Sequence, residues 1–225
     1  MDIFTYISFA VSPVLILLGI LILKIKFSLK NLKNIRNAVL LGIVCVTLVI
    51  ITNFLSDLKF KDSYHSMKRM AFFVFIVIAF SAELMKLIAL RLSFYKRKNF
   101  EGPVEGIVYS VFIGLGYSLV AVVLFAFGII GNSGIKEFML FLYSYPFANI
   151  IFGISLGFFV GLSKQRNVAL IDNSTGLVLA TFLHGLFYFS FQTSDIRLLI
   201  ITVIGLFLVS ATLFKRALVM WDAKD

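Results

Sequence analysis

Cysteine and charged residues are scarce in this sequence. Cys45 is the only cysteine among 225 residues, so an intrachain disulfide is excluded and redox chemistry has no resolving partner. Charged residues make up 14% of the chain, whereas 60% of it is hydrophobic and the mean hydropathy is +1.02. Such a composition lies outside the range of soluble domains. The sequence therefore predicts an integral membrane protein.

Basic residues outnumber acidic ones by 21 to 11, which gives a formal net charge of +10. In a soluble protein, this excess would suggest a nucleic-acid partner. Here the basic residues lie in short loops between apolar segments, where they set the orientation of membrane-spanning helices. We therefore expect the lipid bilayer to be the partner of this chain, and not nucleic acid.

Seven apolar segments predict membrane-spanning helices, since about 20 apolar residues cross the hydrocarbon core of a bilayer. They cover roughly residues 4–23, 38–55, 70–92, 106–130, 138–162, 176–191 and 198–214. Pro13 removes one backbone hydrogen bond, so the first helix is expected to bend there. His65 lies in the polar loop 56–69 and is expected to be solvated. The fold class is thus all-α, a polytopic transmembrane helix bundle that forms one integral membrane domain over residues 1–225.

The distribution of Lys and Arg predicts the orientation of this bundle. With seven spans, fourteen of the 21 basic residues fall on the side of the C-terminus and six fall on the other side, while Lys86 lies inside the membrane. Basic residues in short loops concentrate on the cytoplasmic side. We therefore expect a multi-pass protein of the cytoplasmic membrane, with its N-terminus outside and its C-terminus in the cytoplasm.

Glu83 and Lys86 are the only charged residues between Met70 and Leu90. A charge at the bilayer centre costs about 2.5–3.5 kcal/mol on insertion scales, so such residues usually face the bundle interior and mark function. Three residues apart on a helix, the two side chains also share one face and can neutralise each other. A functional site and a self-neutralising pair are therefore both open.

Two further polar residues lie within apolar spans. His184 lies in the sixth span, where it is either a functional group or a structural histidine bonded to a neighbouring helix. Asn149 lies in the fifth span, where an amide can also stabilise helix packing by about 0.6–2 kcal/mol. Gly153, Gly157 and Gly161 follow at a spacing of four, which predicts a closely packed helix face.

Five short motifs occur in order between residues 72 and 191. Residues 82–86 read Ala-Glu-Leu-Met-Lys, residues 103–109 read Pro-Val-Glu-Gly-Ile-Val-Tyr, and residues 114–121 read Gly-Leu-Gly-Tyr-Ser-Leu-Val-Ala. Asn149 then precedes Gly157, Phe158 and Gly161, and residues 184–189 read His-Gly-Leu-Phe-Tyr-Phe. This series resembles the PrsW family of polytopic bacterial intramembrane proteases, with a PrsW-like core at about residues 72–191.

The sequence departs from the family motifs at several positions. Ala82 stands for the first glutamate of Glu-Glu-x-x-Lys, and Ala121 stands for the glutamate that ends Gly-x-Gly-Phe-Ala-x-x-Glu. Asn149 stands where the family has histidine, and Tyr188 replaces the asparagine of His-Gly-Leu-x-Asn-Phe. Glu105 takes the aspartate position of Pro-x-Asp-Gly-Ile-x-Tyr.

The resemblance implies a hydrolase of the glutamic type. In this family and in the related CAAX prenyl endopeptidases, paired glutamates and histidines are thought to activate a water molecule for peptide hydrolysis. On this basis Glu83, His184 and Asn149 are the catalytic candidates, and Lys86 and Glu105 are supporting residues. No cofactor and no metal are expected, because catalytic zinc usually takes three protein ligands and the spans offer one histidine and one carboxylate.

Two functions remain open at this point. The chain is either a divergent intramembrane endopeptidase, with weak or no activity on a single-span membrane protein, or a non-catalytic scaffold that binds a membrane protein or lipid in the former substrate cleft. Alanine at positions 82 and 121 removes two candidate bases and favours the scaffold, whereas the family likeness favours the protease. A transporter or channel is disfavoured, because the sequence has no internal repeat and no continuous polar pore lining.

The three catalytic candidates are expected to converge in one cavity that opens towards the cytoplasmic half of the bundle. At 1.5 Å per residue, Glu83 lies about 12 Å from Arg91, and His184 lies about 12 Å from the expected start of its span at residue 176. Asn149 lies about 22 Å from Lys164 and is the deepest of the three.

Overall fold

The computed structural model of this chain is a bundle of long helices. It describes residues 3–26, 32–59, 66–131, 134–166, 168–193 and 195–223, and within these ranges it contains no strand. The elements are α1 (Ile3–Ser8), α2 (Val11–Lys26), α3 (Leu32–Lys59), α4 (Met67–Phe72), a π-helix (Phe73–Phe80), α5 (Ser81–Ser93), α6 (Pro103–Ala126), α7 (Phe138–Arg166), α8 (Ala169–Gln192) and α9 (Ile196–Asp222).

Seven segments within the described residues are long and apolar enough to cross a membrane. They are Ile3–Ile25, Leu32–Leu58, Met67–Ser93, Pro103–Ala126, Phe138–Arg166, Ala169–Gln192 and Ile196–Asp222. The predicted all-α bundle of seven spans is therefore confirmed. His65, which we expected in a solvated loop, lies outside the described residues.

The first span is interrupted near Pro13, as predicted. Helix α1 ends at Ser8 and α2 begins at Val11. The amide of Ala10 bonds the carbonyl of Ile7 at 3.0 Å, which tightens the chain between the two helices. Proline has no N–H, and its ring displaces the carbonyl four residues earlier. The break lies at this point for both reasons.

The last two spans are longer than their apolar segments. Helix α8 begins at Ala169 rather than near residue 176, and α9 continues to Asp222 rather than ending near residue 214. Hydropathy marks only the apolar part of a helix, whereas the backbone hydrogen bonds continue into the polar interfacial region. Our depth estimate for His184 was therefore wrong, since this residue lies 15 positions, or about 22 Å, from the start of α8.

Helices α6 and α7 form the centre of the bundle and contact each other closely along their length. They run antiparallel, because Gly161 faces Gly102, Gly157 faces Gly106, and Gly153 faces Val111. A Cβ atom built on Gly157 would lie 2.3 Å from the carbonyl oxygen of Gly106. Only glycine permits this approach, so the predicted packing role of the glycine series is confirmed.

The other helices surround this central pair. Helix α3 contacts α6 through Gly42 and Gly116, where a Cβ atom would lie 2.1 Å from the carbonyl oxygens of Ile113 and Val39, respectively. Helix α8 packs against α7 and the π-helix, and α9 packs against α7 and α8. Helices α2 and α9 present most of their surface outward, towards lipid. The interior of the bundle is thus built mainly from α5, α6, α7 and α8.

A π-helix leads directly into the segment that carries Glu83. It covers Phe73–Phe80 and is followed without a break by α5. The hydroxyl group of Thr52 on α3 donates to the carbonyl oxygen of Val77 at 3.0 Å, and the hydroxyl group of Ser81 donates to the same oxygen. The two hydroxyl groups thus provide hydrogen-bond donors for a carbonyl oxygen in the π-helix. Ser and Thr side chains commonly satisfy backbone groups in this way where a membrane helix is irregular. π-Helices are rare and often occur at functional sites.

Candidate functional site

The carboxylate of Glu83 is the centre of a buried polar cluster. Its Oε1 atom accepts a hydrogen bond from Lys86 Nζ at 2.8 Å and lies 2.8 Å from His184 Nδ1. Glu83, Lys86 and His184 are each 0% exposed. The predicted self-neutralisation of Glu83 and Lys86 thus occurs, but the carboxylate also joins α5 to α8. The same oxygen is shared by both partners.

Lys86 extends the cluster to α6 and α7. Its ammonium group donates to Asn149 Oδ1 at 2.7 Å and lies 4.4 Å from the centre of the Tyr117 ring. A cation over an aromatic face is stabilised by about 2 kcal/mol or more when both are desolvated. The buried charge of Lys86 is therefore neutralised by one carboxylate and solvated by an amide oxygen and an aromatic ring.

Asn149 is positioned by the close contact of α6 and α7. A Cβ atom built on Gly114 would lie 2.8 Å from the backbone oxygen of Asn149, so the absence of a side chain at position 114 lets this turn of α7 approach α6. The side chain of Asn149 donates from Nδ2 to the carbonyl oxygen of Tyr145 at 3.0 Å. Both ends of the amide are therefore engaged, one by Lys86 and the other by the backbone.

His184 is held on both nitrogens and on one face. Its ring stacks on Phe152 with 4.6 Å between ring centres and 13° between planes. Nε2 lies 3.1 Å from the Tyr145 hydroxyl, which in turn lies 3.3 Å from the Tyr117 hydroxyl. A continuous line of hydrogen-bonding groups therefore runs from Tyr117 through Tyr145 and His184 to Glu83.

The structure brings Glu83, Asn149 and His184 together, through Lys86 and Tyr145. It does not place them in a cavity that opens to one side of the bundle, because all three are 0% exposed. Our expectation of an open cavity was wrong for a physical reason. The rings of Tyr117 and Phe152 pack against the Lys86 ammonium, and those of Tyr145 and Phe152 pack against His184, so the space around the polar groups is filled by side chains of the bundle.

The two positions at which alanine replaces a motif glutamate contribute no hydrogen-bonding side chain to the cluster at Glu83. Ala82 and Ala121 are fully buried. Ala121 lies one turn from both Tyr117 and Phe125 on α6, and the rings of both residues contact Tyr145. This face of α6 is therefore aromatic where the family motif has a glutamate.

Tyr188 and Glu105 lie apart from the cluster. The Tyr188 ring packs against Phe125 and Phe141, with ring centres 5.8 Å and 5.4 Å apart. Glu105 is half-buried in the first turn of α6. Twelve residues separate Glu105 from Tyr117, which is about 18 Å along the helix. Its supporting role at the cluster stays a prediction, and at its position the carboxylate complements the positive end of the α6 dipole.

Our reading of the sequence missed Tyr145 and Tyr117. Tyr145 lies one turn before Asn149 on α7, so the two side chains share a face, and this spacing was the available signal. Tyr117 occupies the phenylalanine position of a family motif, where its hydroxyl is an added polar group. Neither residue stands out in spans that contain many aromatic residues.

The donor groups of the cluster do not fit a divalent metal ion. The ammonium group of Lys86 already lies between Glu83 Oε1 and Asn149 Oδ1, the two oxygens that a metal would need. Both nitrogens of His184 lie within hydrogen-bonding distance of protein oxygens. In the part of the chain that the structure describes, no three His, Cys, Asp or Glu side chains converge, whereas catalytic zinc usually takes three protein ligands.

Comparison with known protein families identifies the family of this chain. A family model described as PrsW family intramembrane metalloprotease matches residues 31–214. No curated protein and no solved structure matches the chain significantly. The matched region contains every residue of the buried cluster and extends on both sides of the 72–191 core that the motifs indicated. Because it covers well over half of the sequence, this chain belongs to the PrsW family of intramembrane proteases.

Proposed function

We propose that this chain is a divergent PrsW-family protein with weak or no peptidase activity on membrane-anchored substrates. The observation that carries this proposal is the complete burial of Glu83, Lys86, Asn149 and His184. A peptide bond could reach the carboxylate only if α5, α7 and α8 separated. That separation would break the contacts that hold the Lys86 charge, which makes it costly.

The charge distribution at Glu83 also opposes hydrolysis. A general base must accept a proton from water, and this step contributes about 10²- to 10⁴-fold to a rate. Lys86 and His184 both direct a nitrogen at the same carboxylate oxygen. A proton on this carboxylate would leave the buried ammonium of Lys86 without a counter-charge. Because alanine occupies positions 82 and 121, neither position supplies a second carboxylate that could act as the general base.

A residual hydrolytic route would use the atoms that remain. Oε2 of Glu83 is buried and has no hydrogen-bond partner among the described residues, so it is the oxygen able to accept a proton from an attacking water. Lys86 would stabilise the negative charge on the peptide oxygen, and the proton taken up by Glu83 would pass to His184 and from it to the leaving amine as the C–N bond breaks. No metal takes part in this route, although the family description includes one.

The test is cleavage of single-span peptides by the purified full-length protein in liposomes. We expect the wild-type rate to be close to that of Glu83→Gln and His184→Ala, because the site does not admit a substrate. Glu101→Gln is the matched control, since it removes an exposed carboxylate of the same type. Cleavage by the wild type and the control that is lost in both cluster variants would overturn the proposal.

A non-catalytic scaffold is the second candidate function. It is favoured by the aromatic packing around two altered motif positions. Phe125, one turn from Ala121, contacts the rings of Tyr145 and Tyr188. Such a protein would bind a single-span membrane protein or a lipid without hydrolysing it. Co-purification from the native membrane, with wild type and Glu83→Ala, compares the two candidates. A partner recovered intact with both proteins supports the scaffold, and a partner cleaved only with the wild type contradicts it.

A further inference from the structure

A second polar feature lies at the end of α5, outside the buried cluster. Arg97 follows α5 in a tight turn, in which its amide bonds the carbonyl of Phe94 at 2.9 Å. Its Nε atom donates to the carbonyl oxygen of Ser93 at 2.6 Å, and its Nη1 atom donates to Asn34 Oδ1. The guanidinium carbon lies 4.6 Å from the centre of the Phe94 ring. Arg97 is thus fixed by α3 and α5 together.

The ring that supports Arg97 is itself rigidly held. Phe94 is fully buried and stacks on Tyr109 of α6, with 4.4 Å between ring centres and 16° between planes. The hydroxyl of Tyr109 accepts hydrogen bonds from Asn34 and Asn99, each at 3.4 Å. Among the described residues, no ion pair joins Arg97 to a carboxylate. The guanidinium group is therefore oriented in advance, and no acidic side chain of the described ranges neutralises its charge.

Arg97 lines a groove between α3 and α5, which we call the α3–α5 groove. Its volume is about 350 Å³, and its walls are Asn37, Leu40, Leu41, Val44, Ser93 and Arg97. Its polar residues are Ser93 and Arg97 at the end of α5 and Asn37 near the start of α3. Leu40 and Val44 lead from there along α3 towards the bilayer centre. Leu40 and Val44 are 52% and 55% exposed. The groove therefore has a polar end and an apolar end that opens to lipid.

Further basic residues surround the polar end of the groove. Lys33 precedes Asn37 by one helical turn, and Arg36 precedes Leu40 by one turn, so both lie above this face of α3. Lys33 and Arg36 are exposed, as are Lys96 and Lys98 beside Arg97. Basic residues near a membrane surface attract anionic lipid by about 1 kcal/mol each, and basic pockets between helices bind anionic headgroups.

We propose that the α3–α5 groove binds one anionic phospholipid, with the phosphate on Arg97 and an acyl chain along Leu40, Leu41 and Val44. A soluble phosphate compound would use only the polar end, and a zwitterionic lipid would be attracted less by the surrounding cations. An anionic lipid matches both features of the groove, because its headgroup carries the opposite charge to the polar end and its acyl chain fits the apolar end. This site is independent of the buried cluster and of the proposed function.

The test measures lipid binding to the purified full-length protein by native mass spectrometry. The probes are dioleoyl phosphatidylglycerol, dioleoyl phosphatidylcholine and soluble glycerol phosphate. We expect one phosphatidylglycerol to bind with at least about tenfold higher affinity than phosphatidylcholine, because the choline cation cancels the net charge of that lipid and is repelled by the basic residues around the polar end of the groove. Glycerol phosphate is expected not to compete at equal concentration, since it lacks the acyl chain.

Two pairs of variants localise the binding. Arg97→Gln should weaken phosphatidylglycerol binding about tenfold. Arg216→Gln removes an equally charged, exposed residue from α9 and should change the affinity by no more than about twofold, since Arg216 does not line the groove and an exposed charge is screened by salt. Val44→Trp should block the apolar end of the groove, whereas Val203→Trp alters an equally exposed position on α9.

The outcomes separate the lipid site from general electrostatic attraction. Equal weakening by Arg97→Gln and Arg216→Gln, or equal affinity for both lipids, would overturn the proposal. Competition by glycerol phosphate would show a headgroup site without an acyl groove and would also overturn it. If Arg97→Gln does not fold, the comparison of Val44→Trp with Val203→Trp decides, because neither changes the charge.

Discussion

Lys86 is the residue on which the buried cluster depends most. Its ammonium group is 0% exposed and contacts Glu83, Asn149 and the Tyr117 ring, so it links α5 to α6 and α7. A buried ion pair is not by itself a large source of stability, because desolvation offsets most of the attraction. Removal of one partner is different, because it leaves the other charge uncompensated.

We therefore predict that Lys86→Met destabilises the protein by about 3–5 kcal/mol. The double variant Glu83→Gln with Lys86→Met should recover a large part of this loss, because no charge then remains buried. Thermal unfolding of the purified proteins in detergent measures both effects. Lys215→Met is the control, since it removes an exposed ammonium on α9 and should have little effect. Equal losses in the single and double variants would contradict the charge-burial explanation.

Glu83, Lys86, Asn149 and His184 could be predicted from the sequence as members of the cluster, but Tyr117, Tyr145 and the connections between the members could not. Glu83, Asn149 and His184 are polar exceptions in apolar spans, and this is visible without a structure. The bond from Lys86 to Asn149 depends on how closely α7 approaches α6 at Gly114, which is a property of the folded bundle. The depth of His184 was misjudged because α8 begins at Ala169, before its apolar segment.

At the scale of elements, the contact between α6 and α7 fixes the positions of Asn149, Tyr145 and Tyr117. Hydrophobic attraction does not drive helices together within lipid, so close van der Waals contact and interhelical hydrogen bonds take its place. The glycine pairs at Gly106 with Gly157 and at Gly102 with Gly161 provide this contact. The polar cluster lies at the same interface, on the turns that carry Gly114 and Asn149.

Gly157→Ala should therefore destabilise the protein by about 1–3 kcal/mol, because its Cβ atom would lie 2.3 Å from the Gly106 carbonyl oxygen and the two helices must separate. Gly205→Ala is the matched control on α9. A Cβ atom there meets nothing within 4 Å, so the variant should be neutral or gain up to about 1 kcal/mol from helix propensity. Unfolding midpoints in detergent compare the two, and similar behaviour would contradict the role assigned to this interface.

The helices themselves differ in how readily the sequence predicts them. The break in the first span follows from Pro13 alone, because proline acts locally. The π-helix has no such signal, since Phe73–Phe80 contains neither glycine nor proline. Its widened turn is bonded by Thr52, a residue 25 positions earlier on α3, so it depends on tertiary contacts.

At the scale of the whole molecule, the orientation in the membrane remains a prediction. Fourteen basic residues lie on the side of the C-terminus and six on the other, and this difference predicts an outside N-terminus. The same side carries Arg97 and the polar end of the α3–α5 groove. The predicted orientation therefore places the lipid site in the cytoplasmic leaflet.

Labelling of single cysteines in intact cells tests this orientation. Cys45 is buried and can first be replaced by alanine. Because Lys33 and Lys136 are exposed and lie at opposite ends of the bundle, Lys136→Cys should react with an impermeant thiol reagent, and Lys33→Cys should react only after the cells are opened. The reverse pattern would invert the topology and move the lipid site to the outer leaflet.

The π-helix also affects how two spans of equal length fit a bilayer. Met67–Ser93 and Ile196–Asp222 both contain 27 residues, which as an α-helix would be about 40 Å long, whereas the hydrocarbon core is about 30 Å thick. A π-helix places more residues in each turn and so advances less per residue. The third span therefore has less excess length to accommodate than the seventh. In a thinner membrane, α9 must therefore tilt or shift more than the helix that carries Glu83. The peripheral helix α9 accommodates the hydrophobic mismatch, and the span that carries the buried cluster is displaced less.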